Sequence, residues 1–342
     1  MDSMLIGSNI VRCSRLQLII SFLQAFYQSL GVELKGRLDD ARRQTLEELC
    51  AKKPNQIVYP LSEEEKSKKL IELGELLLYL KRFYDDSDND RYHLIERLLG
   101  DQYQIEGERT KLRDGKEIPA DSIQSPHDPD AAYRKKSHQT VNGYSVNVTE
   151  TCNDDGLNLI VDVQTEKATK ADVDFVEPAL DIARDIVGPI GQAYMDGAYQ
   201  SPDNQAYGEY NDIERIFTGT QGAQGKFEFV ESDNDLVVID KLTGAEIIPH
   251  EYKPGHYNIE LPDGKWRYFK PEQIESSKRR QELKNLPKEK RNRRNNVEAS
   301  VFQLSYHSRN NKTKYRGMFK NGVWAKCRAI WVNLVRIKNH AQ

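Results

Sequence analysis

Between residues 11 and 50, apolar side chains return every three or four positions: Leu16, Ile19, Ile20, Leu23, Phe26 and Leu30, then Leu34, Leu38, Leu46 and Leu49. That spacing puts them on one stripe of a helix and predicts helical structure from Val11 to Cys50. Lys53-Pro54-Asn55 interrupts it. Ser62 followed by Glu63, Glu64 and Glu65 predicts a helix start, because a serine cap and first-turn acids complement the free N–H groups there. Leu70, Leu73, Leu77, Leu80 and Tyr84 carry that helix on, a polar loop follows over 85–90, and a third helix covers about 91–100. These leucines read as helix-packing core without chemistry.

The period then changes. Residues 114–136 read as a loop centred on Ser125-Pro126-His127-Asp128-Pro129-Asp130. Tyr144, Val146 and Val148 alternate with polar neighbours, Asn153-Asp154-Asp155-Gly156 is a hairpin turn, and Leu157, Leu159, Val161 and Val163 alternate in the return strand. Phe175, Ala179, Ile182 and Ile186 mark one face of a helix that Gly188-Pro189 ends. The apolar run from Pro189 to Met195 predicts a buried strand that delivers Asp196 at its C-terminal end, where open α/β sheets place their ligand sites. The order strand, strand, helix, strand predicts that 157–164 and 190–196 share a sheet. Residues 1–10 read as the second half of a strand that starts at Asp2. Short strands at 227–230, 236–239, 246–248, 257–261 and 266–269, separated by Asp-Asn, Thr-Gly, Pro-Gly and Asp-Gly turns, make 211–273 β-rich. Val297, Val301 and Leu304 give a helical stripe, and Trp324 begins a last helix.

Charge changes this picture. The net charge of −3 hides a segment, 276–342, with 18 Lys/Arg and 3 acids; it carries +15 against −18 for residues 1–275. A basic end on an acidic body points to a polyanion, nucleic acid first. Four cysteines without a CxxC pair argue against a zinc site or a disulfide framework and fit a reducing cytosol. No apolar run reaches membrane-spanning length and no signal peptide is expected. His127, His138, His250, His256 and His307 lack ligand spacing.

Four stretches taken together resemble the DDE insertion-sequence transposases. Asp2-Ser3 with Ser8-Asn9 is similar to that family's first acidic motif. Asp128-Pro129-Asp130-Ala131 with Gly143-Tyr144 resembles its lead-in to the second strand. Asp196-Gly197-Ala198-Tyr199 with Asn204 resembles its second acidic motif. Arg294-Asn295-Asn296-Val297-Glu298, continued by Tyr315-Arg316-Gly317 and Asn333-Leu334, resembles its third. Arg291 and Ser305 stand where some members have Tyr and Lys, and the helical DNA-binding region usual before the first acid is missing, so the resemblance is to a truncated member.

The resemblance implies an α/β fold: an RNase H-like mixed sheet from residues 1–12, 125–216 and 276–342, with a helical insertion at 13–124 and a β-rich insertion at 217–275. It implies two-metal phosphodiester chemistry, with Asp2, Asp196 and Glu298 holding Mg²⁺ or Mn²⁺ and no zinc. Carboxylates that close repel, so a cation beside them or raised pKa values are expected. Arg294, four residues before Glu298, shares its helix face and is suited to a phosphate or to the carboxylate. Lys290, Arg291, Arg293, Arg294, Lys312, Lys314 and Arg316 are the candidate contacts to double-stranded DNA, and Trp266 and Tyr268 in the β insertion are suited either to distorted DNA or to local packing. A homodimer on DNA, a cytoplasmic, nucleoid-associated location and no membrane partner complete the expectation. Two other readings stay open: an inactive remnant that binds DNA or a full-length transposase, and another kind of RNase H-like nuclease.

Overall fold

The computed structural model describes residues 1–84, 90–136, 139–153, 156–219, 225–232, 235–306 and 311–342. His138, His307, the hairpin-turn residues Asp154-Asp155, Asp233-Asn234 and the loop at 85–89 lie outside them. The chain is mixed α/β. No helix among the described residues is long and apolar enough to cross a membrane.

The first leucine-rich region forms three helices, not one: α1 (Arg15–Ser29), α2 (Val32–Gly36) and α3 (Asp40–Cys50). Local caps cut the period. Ser14 accepts from the backbone of Gln17, and Asp39 from that of Arg42. After α4 (Pro54–Val58), Ser62 caps α5 (Glu63–Phe83) as the sequence predicts, its hydroxyl on Glu65 N and the Glu65 carboxylate back on Ser62 N. Helix α6 (Asp90–Gln102) leads into a hairpin, β2 (Tyr103–Glu106) and β3 (Arg109–Leu112), which the sequence reading missed. The hairpin lies on α5 over Gly74, where an added Cβ would come within 2.5 Å of the Tyr103 ring. Buried residues from Leu16 to Ile123 pack into one core.

A four-stranded antiparallel sheet comes next. It holds β1 (Asp2–Gly7), β4 (Ala132–Lys136), β5 (Gln139–Glu150) and β6 (Ile160–Lys167), and β5 pairs with all three others. Strand β4 falls where the sequence predicts loop. Helix α7 (Val176–Val187) precedes β7 (Gln192–Met195), and α8 (Pro202–Tyr210) precedes β8 (Glu214–Phe217). Here the expectation of one RNase H-like mixed sheet fails: the four-stranded sheet is wholly antiparallel, and β7 pairs with β8, in parallel, in a separate two-stranded sheet. Among the described residues a backbone bond from Met1 N to Tyr194 O, at 2.6 Å, links the two sheets.

The β-rich stretch folds as two three-stranded sheets. One holds β9 (Phe227–Ser232), β10 (Asp235–Asp240) and β11 (Glu246–Ile247); the other holds β12 (His250–Lys253), β13 (His256–Glu260) and β14 (Trp266–Phe269). They share a core with Ile274 of α9 (Pro271–Asn285). Trp266 and Tyr268 are exposed, so they do not pack inside it. Helices α10 (Lys288–Asn292), α11 (Arg294–Ser305) and α12 (Met318–His340) end the chain, and Val297, Leu304, Ala325, Ala329 and Val332 cover the sheet residues Met4, Ile6, Val146, Val148 and Val163.

The motif stretches meet at a fully buried carboxyl. Asp128 accepts from the hydroxyls of Ser8 and Tyr144 and, at 2.9 Å, from Gly317 N. Burial, with that carboxyl beside it, pushes the Tyr144 pKa up. Gly317 opens α12 at φ 84°, which a side chain would resist. Asp128→Asn keeps the shape but turns one acceptor oxygen into a donor facing other donors. We expect a loss of about 1–3 kcal/mol, seen as an earlier urea midpoint with unchanged slope. An unmoved midpoint would show that these bonds contribute nothing net.

Candidate functional site

Strand β1 begins at Asp2, opposite Val148 of β5. Its carboxylate accepts from Ser3 N at 2.9 Å and is largely buried, 16% exposed. Helix α11 brings Arg294 and Glu298 to the same place. The two lie one turn apart, with Arg294 Nη2 at 2.8 Å from Glu298 Oε1 and 3.4 Å from Asp2 Oδ1. One guanidinium therefore joins two of the three candidate acids, although nearly the whole chain separates them in sequence.

Asp196 follows β7 and caps a single 3-10 turn, Gly197–Tyr199, accepting from Gly197 N at 2.7 Å. Its other neighbour is Gly219, where an added Cβ would come within 2.6 Å of Asp196 Oδ1. Thr218 ties this loop to the acids on two sides: its N–H bonds Met195 O at 3.0 Å, and its Oγ1 lies 3.4 Å from Arg294 Nη1. Arg294 thus touches Asp2 and Glu298 directly and reaches the Asp196 loop through Thr218. Asp196 makes no ion pair with it, and no group of three His, Cys, Asp or Glu side chains placed to hold a metal occurs among the described residues.

Several residues hold the Asp196 loop and its surroundings against the larger sheet. Tyr199 OH donates to Asn147 Oδ1 at 2.7 Å, and Ser3 Oγ donates to Asp172 at 3.0 Å. Asn204 Nδ2 donates to the carbonyls of Tyr199 and Val173 at 2.8 and 2.9 Å. Burial pushes the Tyr199 pKa well up, and the carboxylates of Asp172 and Asp2 add to the shift. Ser3, Tyr199 and Asn204 were visible as parts of motifs; Asn147, Asp172, Thr218 and Gly219 carry no local signal.

The candidate DNA contacts have other partners. Lys290 lies 3.3 Å from Glu214, and Arg291 donates to the carbonyls of Leu283, Lys284 and Leu286, closing the end of α9. Arg293 sits by Cys152 and over the Tyr194 ring. Lys312 donates to Ile10 O, and Arg316 to Asn9 O. Lys314 is exposed; its backbone carbonyl accepts from Asn9. These side chains thus hold partners on β8, on α9, at the end of β5 and β7, and on residues 9 and 10 that follow β1. No family model matches this chain, and neither does any curated protein or solved structure.

Proposed function

We propose that the chain is a DDE-type DNA transposase with an RNase H-like core, one that cleaves transposon ends and joins the 3′-OH to target DNA. The observation that supports this is the meeting of Asp2 and Glu298 on Arg294, with the Asp196 loop tied to the same guanidinium through Thr218. These acids offer the hard oxygen donors that Mg²⁺ prefers, and a cation already stands between two of them. Asp2 and Glu298 would hold the ion, with Asp196 beside them. Mg²⁺ bound there would supply charge neutralisation at the attacked phosphate. Arg294, released from the carboxylates, would pair with a phosphate oxygen.

The inactive-remnant reading draws on the same contact, since a guanidinium seated on two carboxylates competes with a metal. One assay separates the two. Purified protein is incubated with DNA carrying the sequences that flank its own gene, with Mg²⁺ or with EDTA. Metal-dependent strand cleavage at the flanks supports the enzyme; binding without cleavage leaves the remnant.

For DNA contact, Lys314→Glu is the clean test, because Lys312, Arg291 and Arg294 also hold the fold. We expect weaker duplex binding and a salt-dependence slope reduced by about one. The slope comes from titrations at several salt concentrations, and an unchanged slope would make Lys314 an ordinary surface charge.

A further inference from the structure

Helix α12 carries two apolar faces, and the fold covers one of them. Ala325, Ala329 and Val332 are buried over the sheet. On the opposite side Phe319, Val323, Cys327, Ile330, Leu334 and Ile337 follow one another in steps of four, four, three, four and three, and all are exposed. Those steps keep them on one stripe, half a turn from the buried face. Trp331 widens the stripe; it is 66% exposed and Phe319 is 82% exposed. A helix that is apolar on both sides is ordinarily covered on both. At roughly 200 Å² for a large side chain, the exposed parts of these residues come to roughly 700 Å². That is above the about 300–600 Å² of the largest patch on an ordinary monomer, and close to the about 800 Å² that one side of a standard interface contributes.

Shape and charge say what fits this stripe. From Val323 to Ile337 the steps alternate between four and three, the spacing that receives the side chains of a second helix. A groove of about 390 Å³ opens among Phe319, Val323, Cys327 and Trp331, with Lys320 and Arg328 at its walls. Val323, Ile330, Leu334 and Ile337 are aliphatic and offer bases no stacking face. The charges of α12 are all of one sign: Lys320, Lys326, Arg328, Arg336 and Lys338, with no Asp or Glu in the helix. Arg328 is bonded to the carbonyls of Leu304 and Gln303, and Arg336 to Glu150. Lys320 and Lys338 are exposed, and among the described residues no acid pairs with them. They lie on one line of the helix, roughly 27 Å apart at 1.5 Å per residue. A second copy of this helix would set cations against cations, so the charge selects an acidic partner.

We propose that the outer face of α12 docks an acidic amphipathic helix of another polypeptide. Its apolar seam lies along Val323 to Ile337, and its Asp or Glu side chains reach Lys320 and Lys338. Nothing in this depends on strand cleavage, because the readout is binding.

The test uses the whole protein and a synthetic peptide, three repeats of Glu-Ile-Glu-Ala-Leu-Glu-Ala with blocked ends and a fluorescent label. A second peptide has Lys in place of every Glu, which keeps the apolar seam and reverses the charge. Anisotropy titrations should show saturable binding of the first peptide, weakened by salt, and at least about tenfold weaker binding of the second. Ile330→Glu places a charge in the middle of the seam and should abolish binding. Its thermal midpoint should stay near that of the parent, because Ile330 is exposed. Leu242→Glu, at a residue 93% exposed elsewhere on the surface, should bind as the parent does. Lys320→Glu combined with Lys338→Glu should reverse the preference between the two peptides. The proposal is overturned if no saturable binding occurs, if both peptides bind equally, or if Ile330→Glu binds as the parent does. It is overturned too if sedimentation shows the parent to be a dimer that Ile330→Glu makes monomeric, which gives the face to a second copy. Binding of phosphatidylglycerol vesicles by the parent and not by Ile330→Glu would give it to a lipid surface instead.

Discussion

Gly143→Ala is expected to be the most damaging single methyl group that can be added to this chain. Gly143 sits on β5 opposite Gly7 of β1 and opposite Ala132 of β4. A Cβ there would stand 2.1 Å from the Ile6 carbonyl oxygen, 2.8 Å from Ser8 N and 2.9 Å from Gly7 Cα. All three are backbone, so no side chain can swing aside. Strand β1 cannot retreat either, since Ser8 is held by Asp128 and Gly7 O accepts from Thr313 N. Overpacking usually costs about 1–3 kcal/mol, and this contact belongs at or above the upper end. Against a total stability of roughly 5–15 kcal/mol, that lowers the thermal midpoint by about 4 °C or more for a chain of this size. Gly100→Ala is the control: its Cβ meets nothing within 4 Å, and in helix α6 alanine should stabilise by up to about 1 kcal/mol. Circular dichroism melts of both variants check this. A Gly143→Ala midpoint equal to the parent's would mean that β1 and β5 are not paired in this register.

What the sequence made legible was local. The Ser62 capping box needs only residues three apart, and it formed as read. The Thr243-Gly244, Pro254-Gly255 and Asp263-Gly264 turns each place glycine at positive φ, again a matter of adjacent residues. Hairpin β2–β3 and strand β4 were illegible because their sequences are polar and short. Each is stabilised by what it lies on: Tyr103 on Gly74 of α5, and β4 on β5. The site divides the same way. Arg294 and Glu298 are one helical turn apart and could be paired from sequence, whereas Asp2 joins them only through the fold. Asp128 looked like a loop acid; its partners Ser8 and Gly317 lie 120 and 189 residues away, beyond any local pattern. The basic segment showed its charge in the sequence but not its geometry, so nothing there revealed that Arg291 turns back onto three carbonyls.

The second large effect concerns the acids and Arg294 together. On the proposed reading, Asp196→Ala and Glu298→Ala should each lower Mg²⁺-dependent cleavage by about 10³-fold or more, because residues acting as one unit fail together. DNA binding should stay near that of the parent, since neither acid contributes positive charge. Arg294→Ala behaves differently, and its readout needs no catalysis. In the parent, one guanidinium pairs with both Asp2 and Glu298, and a metal must compete with it. Without it the two carboxylates are left facing each other, which destabilises the apo protein and strengthens the site for a divalent cation. The melting temperature of Arg294→Ala should therefore fall in EDTA and rise on adding Mg²⁺ by more than the parent's does, by mass action on the folded state. Adding Glu298→Ala to Arg294→Ala should remove that extra rise, because the second carboxylate is gone. An Mg²⁺ response equal to the parent's would mean that Asp2 and Glu298 do not share an ion, and persistent cleavage by Asp196→Ala would remove the three-acid mechanism.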